Sequence, residues 1–229
     1  MLILALDTTT DAGSCALWQN GAALQFDCPT GRPHSETLLP LIRRLLAEAS
    51  MGLRQLDGIA FGAGPGAFTG LRITCGMTQG LAVAHDLPVI PVCSLETMAI
   101  QVGAPRVFAV LDARMGEVYA ANYACTGDDC RLQDDIRVIS PDALVLPAEP
   151  GVIACGNAIG AYPLLAERLT AAGIVVRPEI LPQAAAVAQL AAPRLAAGQG
   201  VDAALAAPFY VRNKVAKTVA ERLSEGGKA

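Results

Sequence analysis

The chain has 229 residues, with 17 Lys and Arg against 21 Asp and Glu, a net charge of −4 and a pI near 5.2. Apolar residues at 53% and charged residues at 17% specify a buried core, exclude a disordered chain and leave room for one large domain or two lobes. Aromatics at 4% and the absence of a basic excess argue against a base-stacking platform and against an overall electrostatic footprint for nucleic acid.

In chain order, Leu2–Asp7 reads as a nearly continuous apolar strand ending in Asp7-Thr8-Thr9-Thr10. Asp11-Ala12-Gly13 reads as a turn, Ser14–Trp18 as a second strand and Ala22–Asp27 as a third. Asn20-Gly21 between them is a two-residue hairpin signal. Ser35 is positioned to cap a helix reaching Ala49, with Leu38, Leu41, Ile42, Leu45 and Leu46 at helical spacing and Pro40 near its start. His34 beside the cap reads as structural. Asp57–Phe61 is a short buried strand that Gly62-Ala63-Gly64-Pro65-Gly66 is expected to break.

The next helix, Phe68 to about Ala84, carries Gly70, Gly76 and Gly80. Each glycine costs about 1 kcal/mol against alanine in a helix interior, so three of them point to close approach of another backbone. Gly76 and Gly80 share one face. That face fits either packing within the chain or a helix–helix partner surface. Pro88–Val92 reads as a strand near a sheet edge, Ser94 as the cap of a further helix, and Gly103-Ala104-Pro105 as the boundary between lobes spanning 1–103 and 104–229.

The second half restarts the opening pattern. Arg106–Leu111 ends in Asp112, Ala113–Gly116 turns, and Glu117–Ala124 returns, which matches strand, Asp, polar turn with Gly, strand at the N-terminus. Two such units about a hundred residues apart suggest a duplicated fold. Gly127-Asp128-Asp129 is another hairpin turn. Val152–Cys155 is a buried strand before Gly156–Gly160, whose N–H groups are candidates for a phosphate. Tyr162–Ala172 reads as a helix, Ile174–Val176 as a strand, Gln183–Ala197 as an Ala-rich helix interrupted by Pro193, and Ala207–Arg212 as the entry to a last amphipathic helix.

Asp7, Thr8 and Asp112 are the candidates for a metal–phosphate or nucleotide site between two lobes, set against the plainer role of capping turns. No Walker loop and no G-x-S-x-G elbow occurs. The seven cysteines are odd in number and irregularly spaced, so reduced, mostly buried thiols in a cytoplasmic protein are expected, without a zinc site. The apolar runs are too short to cross a membrane, and the N-terminus lacks a basic leader.

Together, LALDTTT from Leu4, HSETLLP from His34, GPGAFTGLRI from Gly64, IPVCSLETMA from Ile90 and LDARMGEVY from Leu111 resemble the TsaB (YeaZ) family of tRNA threonylcarbamoyladenosine biosynthesis. The resemblance implies an α/β fold of the actin/Hsp70/sugar-kinase (ASKHA) type, two lobes built on a duplicated β-meander plus helices. It implies a non-catalytic paralogue of TsaD, whose metal-binding H-x-x-x-H pair has no counterpart at Cys93–Thr97 here. It further implies partnership with TsaD and with the ATPase TsaE, in a complex that modifies N6 of adenosine 37 in tRNAs reading ANN codons.

On this resemblance the partner surface comprises Leu38, Leu41, Ile42 and Leu45 on one helix, with Arg72, Ile73, Gly76, Met77 and Gly80 on the other. A homodimer through the same surface is implied when TsaD is absent. No cofactor is expected to bind tightly to this chain alone, while ATP or ADP with Mg belongs to the complex. Contact with tRNA is expected through the complex, with a local basic patch at Arg212, Lys214, Lys217 and Arg222. The rival readings are a small-molecule kinase or ATPase using Asp7 and Asp112, and a metallopeptidase.

Overall fold

The computed structural model describes residues 1–211. The helix expected from Arg212 and the basic patch of Arg212, Lys214, Lys217 and Arg222 lie outside the described residues.

Eleven strands among the described residues form two sheets with the same plan. In the first, β1 (Leu2–Asp7), β2 (Ser14–Gln19) and β3 (Ala22–Asp27) make an antiparallel meander, followed by helix α1 (His34–Glu48). Strand β4 (Gly58–Gly64), helix α2 (Phe68–Val83) and strand β5 (Val89–Cys93) then add two parallel strands, giving the order β3-β2-β1-β4-β5. Helix α3 (Ser94–Val102) leads to the second sheet. There β6 (Arg106–Arg114), β7 (Glu117–Thr126) and β8 (Asp129–Leu132) form the meander, with β9 (Arg137–Ile139) also on β7. Strand β10 (Ile153–Cys155), helices α4 (Ala158–Ala161) and α5 (Pro163–Ala171), and strand β11 (Val175–Arg177) complete it in the order β8-β7-β6-β10-β11. Helix α6 (Ala184–Ala196) follows. The duplication expected from the two strand–Asp–turn units is present strand for strand.

The helices after the last strand of each sheet exchange sides. Helix α3 packs on β6, β7 and β8 of the second sheet, and α6 packs on β1, β2, β4 and β5 of the first. These two helices, with both inner sheet faces, hold the central core around Ile3, Val92, Met98, Val107 and Val187. A second core lies under α1 and α2, and a third under α4 and α5. The division at 103/104 therefore separates the sheets but not the helices.

Several local expectations need correction. Ser35 and Ser94 do not cap: both sit inside the first turn, after Pro33 and Cys93, and no cap side chain bonds either helix start. Pro40 lies two turns into α1 rather than near its start, on the solvent side, where water can serve the carbonyl its missing N–H leaves unbonded. The glycine run does not break β4, which continues to Gly64, with a cis Gly64-Pro65 bond beyond. Gly62 is paired with Val92 within the sheet, and glycine is required there because a Cβ would strike the Asp7 carboxylate. Likewise β6 passes Asp112 and ends at Arg114, the tight turn being made by Arg114, Met115 and Gly116 at positive φ. Pro193 does not interrupt α6. The cysteines are not all free, since Cys125 and Cys130 stand opposite each other on β7 and β8 and are joined by a disulfide.

Candidate functional site

The outer face of α2 and the cleft between the lobes are the two candidate surfaces. Helix α2 is seated on the β1 loop. Its buried side includes Gly70, where a Cβ would collide with the Thr8 carbonyl oxygen, and Thr74, whose hydroxyl contacts the Thr8 hydroxyl. Thr8 Oγ1 donates to the Gly70 carbonyl at 2.7 Å. The three helix glycines thus divide. Gly70 permits the backbone contact, whereas a Cβ at Gly76 or Gly80 would meet nothing within 4 Å among the described residues.

Gly76 and Gly80 lie on an outward stripe with Arg72 and Val83 exposed and with Ile73 and Met77 half-buried. Arg72 is held over the Phe68 ring at 3.7 Å, and its Nε donates to Tyr210 Oη at 3.3 Å. On α1 the outcome differs from expectation. Leu38, Ile42 and Leu45 are 0%, 1% and 0% exposed and pack under the first sheet with Leu6 and Phe61. An apolar side chain enclosed by its own lobe cannot also touch a partner, so these three are core, and Leu41 beside them is half-buried. What α1 presents outward is polar, including Arg43 and Arg44, the latter stacked on Phe26 at 4.8 Å.

The interlobe cleft has a volume of about 230 Å³. Thr9, Thr10 and Asp11 line one side, Asp112, Arg114 and Asn157 the other, and Phe68, Phe209 and Tyr210 its mouth. Arg114 reaches Asp112 at 3.2 Å and, across the cleft, Asp11 at 3.1 Å. Asp112 also accepts a hydrogen bond from Tyr162 Oη at 2.9 Å, and its N–H donates to Asn157 Oδ1 at 2.9 Å. Gly156 N–H donates to the Arg177 carbonyl at 3.2 Å and is not directed at a ligand.

Asp7 is absent from the cleft wall. It is fully buried, its Oδ1 accepts from Thr9 N–H at 2.9 Å and Thr9 Oγ1 at 2.7 Å, and its Oδ2 has no partner. The structure therefore does not bring Asp7, Thr8 and Asp112 to one site: the first two seat the loop and helix, and only Asp112 faces the cleft. The contribution of Phe209 and Tyr210 escapes sequence reading because about 140 residues separate them from Phe68 and Arg72; the available signal was two adjacent aromatics in an aromatic-poor chain.

Burial raises the Asp7 carboxyl to about 6, against the lowering effect of the Thr9 hydrogen bonds and of His34. Between about pH 4 and pH 6 the native carboxyl then holds a proton that the unfolded one has released, so stability falls as pH rises through this window. The cost at neutral pH is on the order of 3 kcal/mol. Asp7→Asn keeps an acceptor for Thr9 and removes the charge. Urea unfolding across pH 4 to 7 is expected to lose its Asp7-dependent slope in this variant, with a gain of about 1–3 kcal/mol at pH 7. An unchanged slope would contradict the burial argument.

Cys93–Thr97 does not fit a metal. Cys93 Sγ lies 3.5 Å from Tyr123 Oη, and Glu96 is ion-paired with Arg194 of α6. Among the described residues no group of three or more His, Cys, Asp and Glu is placed to hold a metal ion. No helix among them is long and apolar enough to cross a membrane.

Comparison with known proteins adds the following. Residues 29–217 match the family tRNA N6-adenosine threonylcarbamoyltransferase, TsaD. The chain is 36% identical over 228 residues to tRNA threonylcarbamoyladenosine biosynthesis protein TsaB of Escherichia coli K12, covering 94% of this chain and 96% of that one. It is 34% identical to TsaB of Haemophilus influenzae, covering 94% and 95%. Among solved structures, YeaZ from Pseudomonas aeruginosa superposes with a TM-score of 0.81 at 38% identity, over 92% of this chain and 99% of that one. Component A of (R)-2-hydroxyglutaryl-CoA dehydratase from Acidaminococcus fermentans shares the fold alone, at 10% identity and a TM-score of 0.51, over 86% and 99%. The duplicated architecture is the actin/Hsp70/sugar-kinase one.

Proposed function

The chain, which carries a TsaD-type domain over residues 29–217, belongs to the TsaB family of tRNA threonylcarbamoyladenosine biosynthesis proteins, and we propose that it is a non-catalytic subunit of the machinery that makes this modification. In this reading it acts in the cytoplasm, holds a TsaD-type catalytic subunit through α2 and helps create the site where TsaE joins. It pairs with itself when that partner is absent. The single observation that carries the reading is the outward stripe of α2, where Gly76 and Gly80 expose helix backbone with no neighbour. Glycine is costly inside a helix, and an exposed glycine pair that serves no contact among the described residues is explained by close approach of a second helix.

The non-catalytic part of the reading is supported by two features. Asp7 is sealed behind Gly62 rather than open to a phosphate, and Glu96 is neutralised by Arg194. Any nucleotide with Mg then depends on groups from a partner. Titration of Mg–ATP into the isolated chain in a calorimeter is expected to give no binding heat in the micromolar range. Saturable binding that Asp112→Ala removes would instead favour the kinase or ATPase reading.

Pairing itself is tested by mixing the purified chain with its cognate TsaD-type subunit and separating the mixture by size. A one-to-one heterodimer is expected. Two separate species at micromolar concentrations would reject the reading.

A further inference from the structure

The Cys125–Cys130 disulfide lies outside both surfaces described above. It joins directly opposed residues of the β7–β8 hairpin, five apart in sequence. A cross-link that closes so short a loop removes little freedom from the unfolded chain, and the hairpin has its own ladder from Tyr123–Leu132 to Thr126–Asp129. The bond thus adds less to the fold than one that closes a long loop.

Its surroundings are unusual for a structural cross-link. Cys130, only 5% exposed at the surface, forms part of the wall of a cavity of about 460 Å³ with Cys93, Tyr123, Leu132 and the Glu96–Arg194 pair. That volume is within the range that admits small molecules. Cys125 is not part of the wall and is half-buried against the central core, more exposed than Cys130. The two sulfurs thus differ in chemistry. A thiol in the cavity reaches Cys130 and not Cys125, so its attack falls on Cys130 and expels Cys125, the more exposed of the two sulfurs, as the thiolate.

We propose that Cys125–Cys130 is a thiol-exchange site whose substrate is a low-molecular-weight thiol admitted through this cavity. The incoming thiolate bonds to Cys130 Sγ, the Cys125–Cys130 bond breaks, and Cys125 leaves with the electron pair and takes a proton. A second thiol molecule then attacks the mixed disulfide, releasing a small disulfide and leaving both cysteines as thiols; the protein is reduced and the two small thiols are oxidised. The hairpin tip that this frees is tied to α6, the helix that packs on the first sheet, since Gln189 donates to Asp128 at 2.8 Å.

The test uses the full chain purified without reductant and exposed briefly to reduced glutathione, then quenched with a maleimide and mapped by peptide mass. Reduced glutathione leaves free thiols such as Cys93 unmodified, so an adduct reports attack on the disulfide. The mixed disulfide is expected on Cys130 in about tenfold excess over Cys125. Leu132→Trp, at a cavity-wall position 46% exposed and so tolerant of substitution, is expected to slow adduct formation about tenfold. Adduct mainly on Cys125, equal adduct on both, no adduct, an unslowed Leu132→Trp, or seven free thiols at the outset would each overturn the proposal. The wild-type map stands even if that variant fails to fold.

Discussion

Gly70→Ala is expected to destabilise the protein by about 3–5 kcal/mol, while the same substitution one helical face away, Gly80→Ala, stabilises it by up to about 1 kcal/mol. Both positions are interior to α2, so helix propensity alone predicts a gain at each. The difference is what the new methyl meets. At Gly70 it overlaps the Thr8 carbonyl oxygen, a backbone atom fixed by the end of β1 and by the hydrogen bond from Thr8 Oγ1 to Gly70. Relief requires moving α2 off the loop, which also pulls apart Thr8 and Thr74. At Gly80 the methyl enters open space. Thermal unfolding resolves the contrast, since each kcal/mol moves the midpoint by about 2–4 °C in a chain of this size. A Gly70→Ala midpoint within about 2 °C of wild type would mean that α2 is not seated as described.

The second large effect concerns the partner. Gly76→Leu and Gly80→Leu are expected to leave the monomer folded, because a Cβ at either position meets nothing within 4 Å among the described residues, and to weaken pairing with the TsaD-type subunit at least about a hundredfold. The reason is geometric. If two helix backbones approach at a glycine face, a leucine there holds them apart and forfeits the contacts on both sides of it. Ile73→Ala and Met77→Ala, which only remove half-buried contact, are expected to cost less, about 1 kcal/mol each. Circular dichroism and size-exclusion profiles identical to wild type, together with lost pairing, are the expected pattern. Retained pairing in both glycine variants would remove α2 from the interface.

The meander of each lobe was legible because strands alternate with strong turn chemistry. Asn20 and Gly21 both take positive φ, as the Asn-Gly signal requires, and Gly103 ends α3 in the left-handed conformation. The duplication followed from comparing two such units. What the sequence did not disclose depends on contacts between distant residues. Whether Gly62 breaks a strand or makes room for a carboxylate is decided by Asp7, more than fifty residues away. An apolar helical stripe has the same pattern whether it faces its own sheet or a partner, so Leu38, Ile42 and Leu45 read equally well as either. Strands β8 and β9 are only four and three residues long, too short for a period-2 pattern to stand out. An odd cysteine count concealed one bonded pair, because pairing depends on cross-strand register rather than on number.

The cleft was legible only in part. Its two aspartate-bearing loops were found from the repeat, but burial moved Asp7 out of the site and Arg114 into it. The aromatic mouth depends on the segment after Ala206 crossing α2, where Gln79 donates to the Ala206 carbonyl at 2.9 Å and Phe209 N–H donates to the Ala63 carbonyl at 2.7 Å. No periodicity announces such a strap. Its consequence is that α2 is bound to the cleft through Arg72 and Tyr210, so the proposed partner face and the cleft are physically continuous.

The most direct test is reconstitution of tRNA modification from purified TsaD-type, TsaE-type and threonylcarbamoyl-adenylate-forming components, with and without this chain, read as threonylcarbamoyladenosine per tRNA. Product that depends on the wild-type chain, is lost with Gly76→Leu and survives Asp112→Ala is the predicted result. Full modification in the absence of the chain, or loss of product with Asp112→Ala while pairing is intact, would contradict a non-catalytic subunit acting through α2.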